Sequence, residues 1–389
     1  MTRARLRQMA RLLETFLLAI GAYFAYARSF TRGSRQILHV WPEGPVTLGA
    51  DVALFIHFDR HGRVAEHVRL YIRGLRDNGF SVIFVTNSGQ CDDAHARALR
   101  ELCHAIVVRR NVGYDFGAIR EALDHFGLPR EGTRRLLIAN DSVYGPLAPL
   151  SDMLARVDFE AADFWSATDS WQHRYHLQSY FLLAGRRVLT DPAWRAFWLG
   201  VRQVSSRAWV VARYEVGLTQ ALLRGGLRCK AMWGYQDMLD RATTGPPLRK
   251  MPAKIKDPLE RGRALAIERI RAAAASRIPL NTTAELWRHL LRDGFPFLKI
   301  ELLRDNPAGV PDIAEWRDVV TGLPCIGGGH ANGMNASGMN GGGDHAEGMN
   351  GGGGHGDPAR AGLTNAFPVN ASVAMIERHL QQKLRGRSP

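Results

Sequence analysis

The sequence predicts an α/β fold, a Rossmann-like and mostly parallel sheet flanked by helices, with added helices on its C-terminal side. Three observations carry this. Short apolar runs bounded by turn residues alternate with segments of helical period from Val52 onward. That alternation is the mark of strand–helix–strand units with right-handed crossovers. Polar residues gather directly after each apolar run, where ligands bind in such sheets. Finally, 389 residues at 46% hydrophobic and 23% charged are enough for one large domain plus accessory segments.

The elements follow in order. Residues 1–40 form a basic and apolar N-terminal segment, with Arg3, Arg5, Arg7 and Arg11 before "LLETFLLAIGAYFAYA" and Arg28 and Arg32 after it. "AYA" resembles a signal-peptide cleavage site. Glu14 breaks the run, which is also short for a spanning helix. Leu13, Leu17, Ile20 and Phe24 fall at helical spacing, so the expectation is a helix lying on a membrane surface or packed on the domain. After the linker "WPEGPVTLGA", "VALFIHF" reads as a buried strand. Val64, Val68, Tyr71, Ile72 and Leu75 mark a helix face that "DNGF" stops. "SVIFVTN" is the next strand, Asp92 to Cys103 a helix, and "AIVVRR" a third strand. Phe116, Ile119 and Leu123 lie on a third helix, and "RRLLIAND" is a fourth strand. Beyond it, "ADFWSATDS" ends an apolar run, "HLQSYFLLAG" reads as a strand and "YEVGLTQALLRGG" as a helix opening at Glu215. Residues 327–356 are Gly, Asn, Met and His, with "GMN" recurring, and are expected to be a disordered insert. Residues 357–389 form a tail with a short helix, "SVAMIERHLQQKL".

The net charge of +14 calls for anionic partners. No Lys/Arg block with interleaved aromatics is present, so nucleic acid is not the expected one. Cys91, Cys103, Cys229 and Cys325 are scattered, which fits a reducing compartment and excludes a disulfide frame or zinc site.

The chemistry sits at the strand ends. The first strand ends at His57 and Asp59, the second at Thr86, Asn87 and Ser88. The third ends in "NVGYD" (Asn111, Gly113, Tyr114, Asp115), and the fourth at Asn140, Asp141 and Ser142. Asp141, with Gly145 and Pro146 turning the chain away, suits a divalent cation that bridges a diphosphate through one carboxylate. A turn-capping Asp is the alternative. Gly113 permits a positive φ or close backbone approach. Asp115 either caps the next helix, whose N-terminus favours an anion, or bonds a base or ribose.

"RRNVGYDFGAIREAL", "LIANDSVYGPL", "DFWSATDSWQHRYHLQSYFLL", "YEVGLTQAL" and "GFPFLKIELLRDNP" run in one order from about Val52 to Pro307. Together they resemble the rhamnan synthesis protein F family of glycosyltransferases. The resemblance implies a GT-A-like fold over residues 51–310, with a nucleotide-sugar half (51–150) and an acceptor half (151–310). It implies transfer of rhamnose or another deoxyhexose from a dTDP-rhamnose-like donor to a lipid-linked oligosaccharide of a growing surface polysaccharide. The strand-end residues His57, Asp59, Asn87, Asn111, Gly113, Tyr114, Asp115, Asn140, Asp141 and Ser142 then form the donor site. GT-A enzymes commonly hold Mg2+ or Mn2+ with an Asp-x-Asp motif. Here "ANDS" leaves Asp141 as the lone carboxylate for the metal. An inverting transfer needs a base, for which Glu215 and Asp169 are the candidates. His173, His176 and Tyr180 are candidate acceptor contacts, and Trp165 and Trp171 candidate stacking partners. The basic charge and apolar helix place such an enzyme peripherally on the cytoplasmic face of the plasma membrane. Two other classes stay open: a non-catalytic nucleotide-sugar or glycan-binding subunit, and a haloacid-dehalogenase-like phosphatase suggested by "LFIHFDRHGRV" and "VIFVTNS".

Overall fold

The computed structural model describes residues 17–31, 35–245, 252–323 and 369–385. Leu13, the four N-terminal arginines, Cys325 and the Gly-rich segment 327–356 lie outside the described residues.

A nine-stranded sheet forms the centre. Its strands are β1 (Ile37–Trp41), β2 (Asp51–His57), β3 (Ser81–Thr86), β4 (Ala105–Arg109), β5 (Arg135–Asn140), β7 (Phe164–Ser170), β8 (His176–Leu177), β9 (Phe181–Gly185) and β10 (Cys229–Trp233). The order is β1-β4-β3-β2-β5-β9-β7-β10, with β8 on β7. A separate two-stranded ladder joins β6 (Val143–Tyr144) to β11 (Leu298–Lys299). β4, β3, β2 and β5 run parallel, and β10 runs parallel to β7. β9 is antiparallel to both β5 and β7, so it restores one direction for six strands. Their carboxyl ends therefore share an edge.

β2 and β3 are buried along their whole length, as a strand covered on both faces must be. Alternate side chains of β2 feed two cores. Ala53 and Phe55 pack toward α2 (Glu66–Asp77), which presents Val68, Tyr71, Ile72 and Leu75. Val52, Leu54 and Ile56 pack toward α4 (Tyr114–Phe126), with Phe116, Ile119 and Leu123 beside Trp194 and Trp198. α2 ends at Asn78 and Gly79, and α3 (Asp93–Arg100) is capped by Asp92, whose Oδ1 accepts from the Ala94 N–H at 2.9 Å.

The structure adds to the sequence reading in five places. "ILHVW" is an antiparallel edge strand, β1, inside the stretch read as N-terminal segment. "HLQSYFLLAG" divides into β8 and β9, and "CKAMW" is the further strand β10. Glu215 does not open a helix after a loop. It ends a π-helical turn, Val210–Glu215, that runs straight into the helix Val216–Arg224. The helix of the tail spans Val369–Arg385, longer than its apolar core suggested, and docks by Arg378 on Glu66 at 2.9 Å.

The N-terminal helix α1 (17–28) is divided in its loyalties. Tyr26 stacks on Trp209 with ring centroids 4.4 Å apart, while Leu17, Leu18, Tyr23 and Phe24 are exposed. Among the described residues no helix is long and apolar enough to cross a membrane.

Candidate functional site

Parallel register brings the predicted strand ends together. His57 pairs with Thr86, Thr86 with Val108, and Ile56 with Asn140. Asp141 follows directly on β5. Its Oδ2 accepts from the Phe58 N–H at 3.0 Å and lies 3.8 Å from His57 Nε2. Burial pushes the Asp141 carboxyl up to about 6 and the His57 imidazole down to about 4. His57 is therefore a neutral ring at pH 7, held by a 3.0 Å bond between Nδ1 and Thr86 Oγ1.

A directed hydrogen-bond chain runs beside Asp141. Lys299 Nζ donates to Ser142 Oγ at 3.1 Å, and Ser142 Oγ donates to Asn140 Oδ1 at 2.6 Å. Asn140 Nδ2 then donates to Asp115 Oδ2 at 3.0 Å. Asp115 is thus not the cap of α4. The cap position is Gly113, at φ 81°, and no side chain bonds there. Burial, then the charge of Asp141, raises the Asp115 carboxyl to about 6. Lys299 is lowered to about 8 by burial, against the pull of Glu215, Glu301 and Asp115.

Some predicted residues support this cluster from behind. Asn87 is buried, and its Oδ1 accepts from the Arg109 guanidinium. Arg109 is wholly buried, 2.9 Å from Glu121, and also donates to the Val112 carbonyl at 2.8 Å and Gln203 at 3.0 Å. That network pins the loop carrying Asn111, which is exposed, and Gly113. A Cβ on Gly113 would lie 2.4 Å from Gln203 Oε1, so only glycine fits. Tyr114, half-buried at φ 51°, packs on the second core.

Asp59 is buried and occupied. Burial would raise its carboxyl, but the hydrogen bond from Lys383, at 2.8 Å, and that from the His61 N–H hold it far below the usual range. The phosphatase class needs two acids as D-x-D at this strand end, and the first position is His57, which counts against it. Lys383 belongs to the helix Val369–Arg385 and was not foreseen.

The acceptor-side candidates separate. Glu215 Oε1 accepts from the Ser179 N–H at 3.1 Å and its hydroxyl at 2.8 Å. Asp169 sits at the end of β7, raised to about 6 by burial, with Oδ1 taking the Tyr235 N–H at 2.6 Å. His176 is buried against the Arg174 carbonyl at 2.8 Å, and His173 is exposed at φ 68°. Tyr180 is 1% exposed, with its hydroxyl 2.6 Å from Thr168 Oγ1 and its ring 4.1 Å beneath Lys299 Nζ. It faces the interior rather than an open cleft. Trp165 is core, and Trp171 is exposed on Tyr175.

No group of three or more His, Cys, Asp or Glu poised for a metal exists among the described residues. A cage of protein ligands does not fit. One carboxylate, Asp141, completed by phosphate oxygens and water does fit the habits of magnesium. Two surface cavities, of about 410 and 880 Å3, lie elsewhere, one near Arg120 and Arg202 and one near Arg135 and Arg228.

Lys299 has no role in the sequence reading. An apolar run interrupted by one lysine, "FPFLKIEL", was the available signal.

A family model, rhamnan synthesis protein F, matches residues 82–257. The uncharacterized protein y4gN of Sinorhizobium fredii (strain NBRC 101917 / NGR234) is 27% identical over 201 residues, 51% of this chain and 52% of that one. The virulence protein VirA of Vibrio anguillarum is 30% identical over 265 residues, 66% of this chain and 80% of that one. The match thus spans about half of the first relative and four fifths of the second. Among solved structures, the mannosyltransferase PcManGT from Pyrobaculum calidifontis, in complex with GDP-Man and Mn2+, covers 80% of this chain and 86% of its own. Its identity is 15% and its TM-score 0.28, too low for the likeness to bear on this chain.

Proposed function

The chain belongs to the rhamnan synthesis protein F family, and on that premise we propose that it is an inverting glycosyltransferase of GT-A-like fold. It moves rhamnose or a related deoxyhexose from a dTDP-rhamnose-like donor to a lipid-linked oligosaccharide of a growing surface polysaccharide. The observation that carries this reading is the cluster Asp115, Asn140, Asp141, Ser142 and Lys299 at the shared carboxyl edge of the parallel strands.

In this reading Glu215 takes the proton of the acceptor hydroxyl. The freed oxygen attacks the anomeric carbon opposite the diphosphate. The carbon–oxygen bond to the diphosphate breaks, and its electron pair leaves with the nucleotide. Glu215 is preferred to Asp169 because it acts electrostatically on both Asp115 and Lys299 of the cluster, whereas the charged groups acting on Asp169 are His176 and Asp237, outside it. A magnesium- or manganese-type ion, when bound, would be held by Asp141 and would neutralise the leaving charge. The exposed apolar face of α1 and the net charge of +14 support work at the inner face of the plasma membrane.

The test compares Glu215→Gln with Asp169→Asn on donor and lipid-linked acceptor. Loss of a general base costs about 10²–10⁴-fold in kcat. The expected result is that loss in Glu215→Gln with donor affinity retained. Full turnover in Glu215→Gln would remove it from the role. A wild type that binds donors but transfers nothing would favour the non-catalytic subunit.

A further inference from the structure

We infer that Lys299 is the cation that grips the donor's diphosphate and carries its charge as it leaves; the inference rests on the nucleotide-sugar reading above. Lys299 is placed with unusual firmness. It pairs with Val143 in the β6–β11 ladder, and the Ile300 N–H donates to the Ser142 carbonyl at 3.1 Å. The residue thus stands opposite the chain that has just left Asp141.

Its ammonium has donors to spare. An ammonium has three protons to donate. One goes to Ser142 Oγ at 3.1 Å, and the ring of Tyr180 lies 4.1 Å below. No carboxylate makes an ion pair with it among the described residues. Glu215, Glu301 and Asp115 act on it from a distance only, and two of them are hydrogen-bonded elsewhere, Asp115 to Asn140 and Glu215 to Ser179. A half-buried ammonium with no directly bonded anion still bears part of its desolvation cost. An anionic ligand at this edge removes that cost. The reading above gives a metal one carboxylate, Asp141, so charge stabilisation falls partly to a side chain. A preorganised donor aimed at developing charge is the effective device for that.

The step balances simply. The electron pair of the broken carbon–oxygen bond settles on the diphosphate oxygen. Lys299 donates hydrogen bonds to that diphosphate and keeps its proton.

The experiment titrates the full-length protein calorimetrically with dTDP and with thymidine. The quantity read is the affinity gap between the two, with Lys299→Met and Lys299→Arg as variants. A charged hydrogen bond is worth about 1.5–3 kcal/mol, so the gap should shrink roughly 10- to 100-fold in Lys299→Met. Thymidine affinity should hold, and Lys299→Arg should recover part of the gap. Lys299→Gln, which keeps a hydrogen-bonding side chain without the charge, serves if the Met variant does not fold. An unchanged gap in a folded neutral variant would overturn the assignment alone. A wild type that binds no nucleoside diphosphate, with other bases included in the panel, would overturn the nucleotide-sugar reading and this inference with it.

Discussion

Asp141 shows how far a single residue could be read. Its position after four apolar residues and Asn140 marked it as a strand-end carboxylate, and the structure puts it there, bonded to the Phe58 N–H. For Asp115, its neighbour in space, the sequence allows both a cap and a ligand. Local sequence cannot settle that, because the deciding partner, Asn140, lies 25 residues away. The pair has a measurable consequence. Both carboxyls are raised to about 6, Asp115 by burial and then by Asp141, Asp141 by burial. A carboxylate must lose its proton to hold a cation. Affinity for Mn2+ with a nucleotide sugar, whose phosphates do not titrate in this range, should therefore be full above about pH 7 and fall as pH drops through about 6. An ordinary carboxylate would lose it only near pH 4. Calorimetric titration across that range checks the point, and an affinity that stays flat down to about pH 5 would contradict it.

At the scale of elements, the parallel strands were legible because each is short, apolar and bounded. β1 was not, since "ILHVW" is only half-buried and follows a basic stretch. β11 was not either. It is two residues long, and its partner β6 lies more than 150 residues earlier in the chain, so nothing local announces Lys299 as a site residue. Glu215 was found by type but misplaced by context, because periodicity does not distinguish a π turn from a helix start. The β4–α4 junction offers the sharpest test at this scale. Arg109 is fully buried and bonds Glu121, Asn87, Gln203 and the Val112 carbonyl. Removing one partner of a buried ion pair leaves the other charge stranded, at a cost of about 3–5 kcal/mol. Arg109→Met should lower unfolding stability by that amount in urea. A loss under about 1 kcal/mol, the range of exposed pairs, would show that the network does not hold the loop.

For the whole molecule, one sheet edge gathers side chains from β2, β3, β5, β7 and the helix Val369–Arg385, which closes over it with Lys383 on Asp59. Away from that edge, α1 turns Tyr26 inward onto Trp209 and leaves Leu17, Leu18 and Phe24 outward. The sequence could not choose between a packed helix and a membrane-facing one; the fold packs one face of it and leaves the other exposed. Replacing Leu17, Leu18 and Phe24 by Ser should leave unfolding unchanged, since all three are exposed. It should release the protein from sedimenting anionic vesicles. Equal sedimentation of variant and parent would remove α1 from membrane docking.

If this edge transfers a sugar, donor breakdown and acceptor glycosylation must go together. The most direct measurement follows nucleoside diphosphate release and glycosylated acceptor together, by mass spectrometry, for the wild type and Asp141→Ala. The account predicts one product for each diphosphate in the wild type and a loss of both on the order of 100-fold or more in the variant, as when an electrostatic stabiliser is removed. Equal transfer by the variant, or diphosphate release without glycosylated product, would contradict it.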